Sequence, residues 1–219
     1  MTADPVPTKH RRFGAIAFDF DGTLVDSIDY IARGWEKIAE LSGIELTTDV
    51  RCLVGMTGEQ IADVVSEGNA KLRETLLQKR LEVFDVGTFV RNVKPFPEVV
   101  GVLIELRRSE YPMALSSSTA AFKLVELSDL YGIYGLFDVV IGGDEVPRSK
   151  PAPDLLIETA KRLSMEAKDI AYVGDTAYDV EATLAAGSIA ILVLRGKNEY
   201  DGPQPHFVIS DLRELLLLG

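Results

Sequence analysis

Residues 13–24 read FGAIAFDFDGTL, an apolar run that ends at two aspartates, a glycine and a threonine. A short apolar run bounded by a turn is typical of a strand buried on both faces of a parallel sheet. The pair Asp21-Gly22 by itself is explained as readily by a surface turn, since turns favour Asp and Gly. We therefore predict a first strand over residues 13–20. Whether Asp19 and Asp21 carry chemistry depends on the rest of the chain.

Beyond residue 97, strand patterns alternate with helical ones. Such alternation implies a mostly parallel sheet with helices on both faces. The predicted strands are PMALS at 112–116, FDVVI at 137–141, DIAYVG at 169–174, and the segments 189–194 and 206–209. The predicted helices cover 98–108, 120–131, a segment that starts at Pro153, 177–186 and 211–218.

Residues 25–96 show helical patterns and no convincing strand. Helices are predicted over 28–41, with Gly43 as the stop, over 59–66 and over 69–85. The block ends at the stiff segment Lys94-Pro95-Phe96-Pro97, which suits a connector. We therefore expect an α/β fold. A Rossmann-like open parallel sheet would occupy residues 1–24 and 97–219, and an all-helical insertion at 25–96 would lie over the carboxyl edge of the sheet, where such folds bind ligands.

Composition excludes several classes of protein. The net charge of −11 argues against a nucleic-acid surface, because phosphate backbones are bound by clustered Lys and Arg. Cys52 is the only cysteine, so an intrachain disulfide is impossible, and we expect it to be a small buried apolar residue. His10 and His206 show no zinc-ligand spacing. No apolar run is long enough for a membrane span. The polar segment Met1–Arg12 leads into no signal core, which favours the cytoplasm.

Polar side chains follow four of the predicted strands. They are Asp19 and Asp21, Ser116, Lys150 and Asp175. Because the carboxyl ends of parallel strands share one edge of a sheet, we expect these groups to converge. Carboxylates that lie close together repel one another, and a divalent cation with a preference for oxygen ligands, Mg²⁺, relieves that repulsion. Mg²⁺ in turn suits a substrate that carries phosphate.

These segments resemble the motifs of the haloacid dehalogenase superfamily. Asp19-Phe20-Asp21-Gly22-Thr23-Leu24 is similar to its DxDGT signature, and Gly174-Asp175-Thr176-Ala177-Tyr178-Asp179 resembles its GDxxxD motif. Lys150-Pro151 is similar to its lysine motif, and Ser116 takes the place of its Ser or Thr. The four motifs occur in the family's order. The helical insertion after the first motif resembles the helical cap of one subfamily, a mobile lid over the site.

The resemblance implies a Mg²⁺-dependent phosphatase. Asp19 would attack phosphorus and form an aspartyl-phosphate. Asp21 would protonate the leaving alcohol and then activate water. Mg²⁺ would be held by Asp19, Asp175 and the backbone carbonyl of Asp21. Asp179 would support these ligands from outside the layer that binds the ion. Ser116 and Lys150 would hold phosphate oxygens. The candidate residues for phosphate or substrate are Phe20, Ser116, Ser117, Lys150, and Gly55 and Thr57 in a loop of the insertion.

Local roles compete with these assignments. The run Ser116–Thr119 can cap the helix near Ala120, and we expect Ser116 to bind phosphate while Ser118 or Thr119 caps. Lys150 can be a solvated loop lysine. Asp179 can sit in the first turn of a helix, where negative charge is favoured. Thr57 can cap the helix near Glu59.

Three functions stay open within the resemblance. Dehalogenating relatives lack the second aspartate, so Asp21 favours a phosphatase of a small phosphorylated metabolite. A phosphosugar mutase similar to β-phosphoglucomutase is the first alternative. The register from Asp19 places Ile31 where those mutases carry a histidine, and the loop at 54–58 lacks their basic residues. A catalytically silent binding protein is the second, although Asp19, Asp21 and Lys150 are all present.

The substrate has two candidates at this level. The segment Pro205–Leu212 is similar to the closing segment of phosphoglycolate phosphatases. Those enzymes usually carry Thr-Asn where this chain has Ser116-Ser117, and Gly where it has Glu98. The serine-rich motif looks more like that of sugar-phosphate phosphatases. We therefore expect phosphoglycolate or a sugar phosphate as the substrate, and a monomer or homodimer as the assembly.

Overall fold

A computed structural model of the chain describes residues 11–197 and 199–218. The expectations for His10 and for the segment before Arg11 lie outside these residues. His206 is described, and its Nδ1 accepts a hydrogen bond of 3.0 Å from the backbone N–H of Ala190. In the part of the chain that the structure describes, no helix is both long and apolar enough to cross a bilayer.

The core of the fold is one sheet of six parallel strands. Its order is β3-β2-β1-β4-β5-β6, so the sheet grows outward from β1 in both directions. All six strands were predicted, with bounds shifted by a few residues at most, and the α/β fold class with a Rossmann-like sheet is confirmed. The strands are β1 (Ala15–Phe18), β2 (Met113–Ser117), β3 (Val139–Gly142), β4 (Ile170–Gly174), β5 (Ile189–Val193) and β6 (Phe207–Ile209).

Helices cover both faces of this sheet. The side chains of a strand alternate between faces, so Ile16 and Phe18 of β1 enter the larger apolar cluster, whereas Ala15 and Ala17 enter the smaller one. The larger cluster is completed by α5, α6 and α9, and the smaller one by α7 and α8. These helices are α5 (Val99–Arg108), α6 (Ala121–Leu130), α7 (Asp154–Leu163), α8 (Ala177–Ala185) and α9 (Leu215–Leu218).

The segment between β1 and α5 is helical. It contains α1 (Ile28–Ser42), α2 (Gly58–Ser66), α3 (Ala70–Val83) and α4 (Val86–Asn92), and a 3₁₀ turn at Val50–Leu53. It has an apolar cluster of its own, in which Trp35 and Ile38 of α1 meet Ile61 of α2 and Leu76 of α3. Gly43 ends α1 in the left-handed conformation, as its position predicted.

Helix α4 is absent from the sequence-based prediction. Asp85 was taken as the end of the preceding helix, but its Oδ1 accepts a hydrogen bond from the backbone N–H of Thr88 and so begins a new helix. Val86 and Phe89 of α4 pack against the core cluster rather than the cluster of α1 to α3. Helix α4 therefore joins the inserted helices to the sheet.

The chain leaves the core and returns to it at one place. Val25 and Pro95 form an antiparallel bridge, and the backbone N–H of Phe96 donates to the carbonyl oxygen of Leu24. The two linkers are thus hydrogen-bonded side by side. This geometry holds the inserted helices over the end of β1.

The expectation of a buried Cys52 is wrong. Cys52 is exposed. It lies in the 3₁₀ turn Val50–Leu53, where Val50 and Leu53 share the buried side. The residues between them consequently face solvent, because a 3₁₀ turn repeats every three residues.

Candidate active site

The site begins where the strand order reverses. Strands β1 and β4 are neighbours, with Phe18 paired to Val173, and the connections from them run to opposite sides of the sheet. Ligands in open parallel sheets bind at such a switch point, outside the carboxyl ends of the strands. Asp19 directly follows β1 and Asp175 directly follows β4. The backbone N–H of Asp19 donates to the carbonyl oxygen of Val173 over 2.9 Å, which joins the two strand ends.

Three buried carboxylates meet at this point. Asp19, Asp175 and Asp179 each offer one oxygen, and these oxygens lie within 4.8 Å of one another. The Thr23 hydroxyl donates to Oδ1 of Asp175 over 3.1 Å and orients that group. An all-oxygen set of clustered carboxylates is the donor set that Mg²⁺ prefers, so the residues present fit this ion.

Lys150 lies among these carboxylates. Its side chain is 0% exposed, and its Nζ is 2.8 Å from Oδ1 of Asp19 and 2.6 Å from Oδ1 of Asp179. Tyr172 provides a third oxygen at 3.3 Å. The alternative that Lys150 is a solvated loop residue is therefore wrong. A buried ammonium between two carboxylates is held in place on several sides.

Burial controls protonation in the cluster. Burial, and after it the charge of Asp179, raise the pKa of Asp19 to about 7 against the opposing effect of Lys150. Burial also raises the pKa of Asp175, and the nearby Lys197 opposes this. Burial alone would lower the pKa of Lys150, but the charges of Asp179 and Asp19 hold it well above its usual value. The ammonium is thus a fixed positive charge, and a further cation at this place would favour the ionised forms of Asp19 and Asp175.

Asp21 stands apart from the carboxylate cluster. Its Oδ1 accepts a hydrogen bond of 2.7 Å from Ser27 Oγ, and its Oδ2 accepts one of 2.6 Å from Thr119 Oγ1. Burial raises the pKa of Asp21, and the hydrogen bonds from Thr119 and Ser27 limit the rise. A carboxyl with a raised pKa and a fixed orientation suits a group that both gives and accepts a proton.

The serine run after β2 divides its residues between two sides. Ser116 Oγ lies 2.8 Å from Thr159 Oγ1 of α7, and the backbone oxygen of Ser116 accepts a hydrogen bond from Tyr172. Ser117 lines the same cavity as Asp19 and Asp21, whereas Ser116 is absent from that lining. Among the two predicted phosphate-binding serines, the structure thus brings Ser117 to the cavity and directs Ser116 toward α7.

The expectation that Ser118 or Thr119 caps α6 is wrong. Ala120 occupies the cap position without a side-chain hydrogen bond, and the first free N–H of the helix, at Ala121, donates to Asp144 Oδ1 over 2.8 Å. Asp144 follows β3, so the cap comes from another part of the fold. The hydroxyl of Ser118 instead donates to the backbone oxygen of Gly55 over 2.6 Å. The hydroxyl of Thr119 donates to Oδ2 of Asp21.

Asp179 has a structural and an electrostatic role together. Its Oδ2 accepts hydrogen bonds from the backbone N–H and the hydroxyl of Thr176 in a reciprocal cap at the start of α8. Its Oδ1 faces Lys150. The helix-start interpretation is therefore correct, and it leaves one oxygen of Asp179 directed into the cluster.

Gly22 gives the acidic cluster the space that it needs. It adopts a left-handed conformation with φ of 75°, and a Cβ at this position would lie 2.5 Å from Oδ2 of Asp175. Only glycine combines this backbone with such a close approach. Gly22 thus places the chain after Asp21 directly against Asp175.

The inserted helices reach the site through the loop before α2. The backbone oxygen of Gly55 meets Ser118, and Gln60 Nε2 donates to the backbone oxygen of Lys150 over 3.1 Å. Thr57 forms a reciprocal cap with Gln60, so its hydroxyl begins α2. Gly55 lines the inner cavity, and Thr57 lines an adjacent outer groove.

A cavity of about 100 Å³ lies between the sheet edge and the inserted helices. Asp19, Asp21 and Ser117 form its floor, and Ile31 and Trp35 of α1 lie in the opposite wall. Phe20 is buried in the core beside Tyr131 instead, so its side chain does not belong to the lining.

Several residues of the site were not predicted as such. Ser27 and Thr119 orient Asp21, and Lys197 Nζ lies 2.8 Å from Oδ2 of Asp175. Thr176, which caps α8 together with Asp179, does carry a local signal, because Thr-x-x-Asp at the start of a helix is a capping pattern. Thr119 and Lys197 carry no such signal, because their partners come from other segments. Ser27 lies only six positions after Asp21, but no local pattern links the two.

Comparison with known proteins agrees with the motifs and the fold. A family model described as haloacid dehalogenase-like hydrolase matches residues 16–193. A phosphoglycolate phosphatase from Aquifex aeolicus is 31% identical over 212 residues, which cover 93% of this chain and 95% of the relative. A phosphoglycolate phosphatase from Yersinia pseudotuberculosis is 30% identical and covers 95% and 94%.

Solved structures share the fold at lower identity. A β-phosphoglucomutase from Clostridium difficile superposes with a TM-score of 0.79 at 20% identity, over 93% of each chain. At that identity the likeness concerns architecture alone. The family itself rests on the model match over most of the chain and on the curated relatives. The chain belongs to the family of haloacid dehalogenase-like hydrolases, as its motifs predicted.

Proposed function

We propose that this hydrolase is a Mg²⁺-dependent phosphatase that releases phosphate from a small phosphorylated metabolite through an aspartyl-phosphate at Asp19. The phosphatase class is the one to which its curated relatives belong by name. The observation that carries the proposal is the convergence of Asp19, Asp175 and Asp179 around the buried ammonium of Lys150. Asp21, outside this cluster, lines the same cavity as Asp19 and has a raised pKa.

Asp19 and Asp175 would hold Mg²⁺ together with the backbone carbonyl of Asp21, and Asp179, whose oxygens bond Lys150 and Thr176, would support this set from outside. When bound, the ion neutralises the carboxylates and the charge of the phosphoryl oxygens. With this charge bound, Asp19 would stay ionised at neutral pH although burial raises its pKa. The ammonium of Lys150, which lies 2.8 Å from Oδ1 of Asp19, also stabilises the ionised form of this carboxylate.

The reaction divides into two displacements. In the first, an oxygen of Asp19 forms a bond to phosphorus, the ester bond breaks, and the leaving oxygen takes the proton of Asp21. In the second, water gives a proton to Asp21 and attacks the same phosphorus, which releases phosphate and the Asp19 carboxylate. Lys150 and Ser117 would bind phosphoryl oxygens throughout. Ser116, for which the sequence predicted the same role, bonds Thr159 of α7 and lies outside the cavity lining.

Hydrolysis is favoured over phosphoryl transfer between sugars by the cavity wall. Ile31 occupies the wall position for which mutase relatives were expected to carry a histidine. An isoleucine offers no acid or base to a sugar hydroxyl. The proposed substrates are therefore phosphoglycolate, which the curated relatives' names favour, or a sugar phosphate. The proposed setting is the cytoplasm, with the protein as a monomer or homodimer.

We further propose that residues 25–96 act as the cap domain of the enzyme and residues 1–24 and 97–219 as its catalytic core. The separate apolar cluster of α1 to α3 supports a distinct unit. The adjacent linkers at Val25 and Pro95 support one hinge region. Such a cap would exclude water from the cavity during the first displacement.

The experiment that tests this function is a phosphate-release assay on purified protein. It uses p-nitrophenyl phosphate and a panel of phosphorylated metabolites, with Mg²⁺ and with excess chelator. We expect turnover in Mg²⁺, its loss in chelator and its recovery on adding Mg²⁺. Conversion of hexose phosphates without phosphate release would favour a mutase, and no turnover of any compound would favour a silent binding protein.

A further inference from the structure

Two cationic side chains that are not part of the acidic cluster line the cavity. Arg80 is near the end of α3, and Lys123 is in the first turn of α6. Both line the inner cavity that contains Asp19 and Asp21, and both line an outer groove of about 700 Å³. They therefore stand at the boundary between the catalytic floor and the opening.

Among the described residues, neither cation forms an ion pair with a buried carboxylate, although the charge of the buried Asp21 raises the pKa of Lys123. The guanidinium of Arg80 lies 3.2 Å from Glu59, whose side chain is 55% exposed, whereas that of Arg80 is only 22% exposed. An ion pair with such an exposed carboxylate is weak. Within residues 11–197 and 199–218, the ammonium of Lys123 forms its hydrogen bond with the backbone oxygen of Phe84, at 3.3 Å. Two like charges at a partly buried place favour an anion between them.

The backbone leaves room for Arg80 at this place. Gly58, the first residue of α2, has no side chain, and a Cβ there would overlap the guanidinium of Arg80. The same packing brings Arg80 close to Lys123. Burial lowers the pKa of the Lys123 ammonium most, and the positive charge of Arg80 lowers it further. The two cations thus belong to one arrangement rather than to two separate surfaces.

Apart from Arg80 and Asp85, the part of the wall formed by residues 25–96 is apolar. In residues 25–96, all of which the structure describes, the ionisable side chains that line the cavity are Arg80 and Asp85. Asp85 is engaged in capping α4. The remaining lining residues of this segment are glycines or apolar and aromatic residues such as Ile31, Trp35, Met56, Phe84 and Phe89. A polyhydroxylated sugar would leave hydroxyl groups without partners against such a wall.

We infer that Arg80 and Lys123 form a subsite for a second anionic group, a carboxylate or a phosphate, on the leaving-group part of the substrate. The carbon skeleton between the two anionic groups would pack on the apolar wall. This inference rests on the proposed phosphatase function and narrows it, because it disfavours neutral sugars as leaving groups. Arg80 and Lys123 would set specificity, while the acidic cluster would perform the reaction.

The test compares substrates that differ in the second anionic group. Phosphoglycolate is paired with ethyl phosphate, in which a methyl group replaces the carboxylate, and 1,3-propanediol bisphosphate is paired with propyl phosphate. For the wild type in Mg²⁺ we expect kcat/KM to favour the anionic member of at least one pair by about tenfold or more, as a charge-assisted hydrogen bond allows. The pair that shows the preference identifies the anion as a carboxylate or a phosphate.

Variants then assign the preference to the two cations. In Arg80→Gln and in Lys123→Gln the ratio of kcat/KM within the preferred pair should fall severalfold, and in the double variant it should approach one. Arg80→Lys should keep part of the ratio because it keeps the charge. Arg73→Gln, on the same helix but paired with Asp63 outside both cavities, should keep all of it. Thermal unfolding of each variant identifies any that fails to fold. If Arg80→Gln or the double variant fails, the ratios measured for Lys123→Gln and Arg80→Lys test the assignment.

The outcomes separate the two proposals. If p-nitrophenyl phosphate and ethyl phosphate are hydrolysed but the wild type shows no preference in either pair, the subsite inference is wrong and the phosphatase function stands. The same conclusion holds if a preference exists and the double variant keeps it. If no phosphate ester is hydrolysed at all, the proposed function fails, and the subsite inference fails with it.

Discussion

The hydroxyl of Thr119 donates a hydrogen bond of 2.6 Å to Oδ2 of Asp21, although the two residues are 98 positions apart in the sequence. Ser27 donates to the other oxygen of the same carboxylate. Hydrogen bonds to a carboxylate stabilise its ionised form, so these two donors oppose the effect of burial on the pKa of Asp21. The pair thereby orients the carboxyl group of the proposed acid and base and limits the rise of its pKa.

Replacing Thr119 should therefore change the pH dependence of the enzyme. In Thr119→Val the pKa of Asp21 should rise further, because a donor to its ionised form is lost. The second displacement needs Asp21 ionised, so the acid limb of the kcat profile should move to higher pH. Thr119→Ser keeps the donor and should keep the profile. A Thr119→Val profile that coincides with the wild type would mean that Asp21 does not limit turnover.

Lys150 should be required for both stability and turnover. Removing one partner of a buried ion pair leaves the others uncompensated and typically costs about 3–5 kcal/mol of unfolding free energy. Lys150→Met should show this loss in denaturant unfolding of the metal-free protein, together with a fall in kcat/KM of roughly a hundredfold or more. Adding Asp179→Asn should recover part of the stability.

The control for Lys150 is Lys161→Met, since Lys161 is an exposed lysine of α7. It should leave stability within about 0.5 kcal/mol of the wild type. If Lys150→Met were as stable as this control, the ion pairs with Asp19 and Asp179 would have no net role in the fold.

Mg²⁺ should stabilise the protein through the acidic cluster. A ligand that binds only the folded state at about 100 times its dissociation constant adds roughly 2.7 kcal/mol, which for a chain of this size raises Tm by roughly 5–10 °C. Asp175→Ala should remove this shift and the activity together while the fold survives. Asp129→Ala, an exposed acidic residue of α6, should keep both. An equal Mg²⁺ shift in Asp175→Ala would place the ion elsewhere.

Protonation of Asp19 should appear in the stability of the metal-free protein. The pKa of Asp19 in the folded chain is about 7, above the ordinary value of 3.8, so the folded state binds this proton more tightly than the unfolded state. The associated stability is present below about pH 4 and is lost as pH rises through about 7. In excess chelator, Asp19→Asn should therefore gain in Tm relative to the wild type between pH 4.5 and pH 7.5. A difference that is constant over this range would contradict the raised pKa.

Local patterns predicted the strands and the polar residues that follow them, because both are encoded in short stretches of sequence. The apolar run before Asp19 and the run before Asp175 each define a strand by themselves, and parallel topology then brings their ends together. The lysine motif was identified by resemblance, whereas its complete burial became visible only when Asp19 and Asp179 were placed around it.

The misassigned residues depend on contacts between distant segments. The cap of α6 comes from Asp144, which no local pattern links to Ala121. Helix α4 was missed because Asp85 ends one helical pattern and starts another. The meeting of Arg80 with Lys123 depends on how the inserted helices sit on the core, and neither residue stands out in its own segment.

The central claim is that Asp19 is the nucleophile and Asp21 the base for the second displacement. In Asp21→Asn, p-nitrophenolate can still leave without a proton, but water is no longer activated, so the phosphorylated enzyme should accumulate. The direct measurement is rapid mixing of Asp21→Asn with p-nitrophenyl phosphate and Mg²⁺, followed by acid quenching and mass spectrometry of the peptides. The account predicts a burst of about one nitrophenolate per chain and a phosphate on Asp19, both absent in Asp19→Asn/Asp21→Asn. A burst without covalent phosphate, or phosphate on another residue, would contradict it.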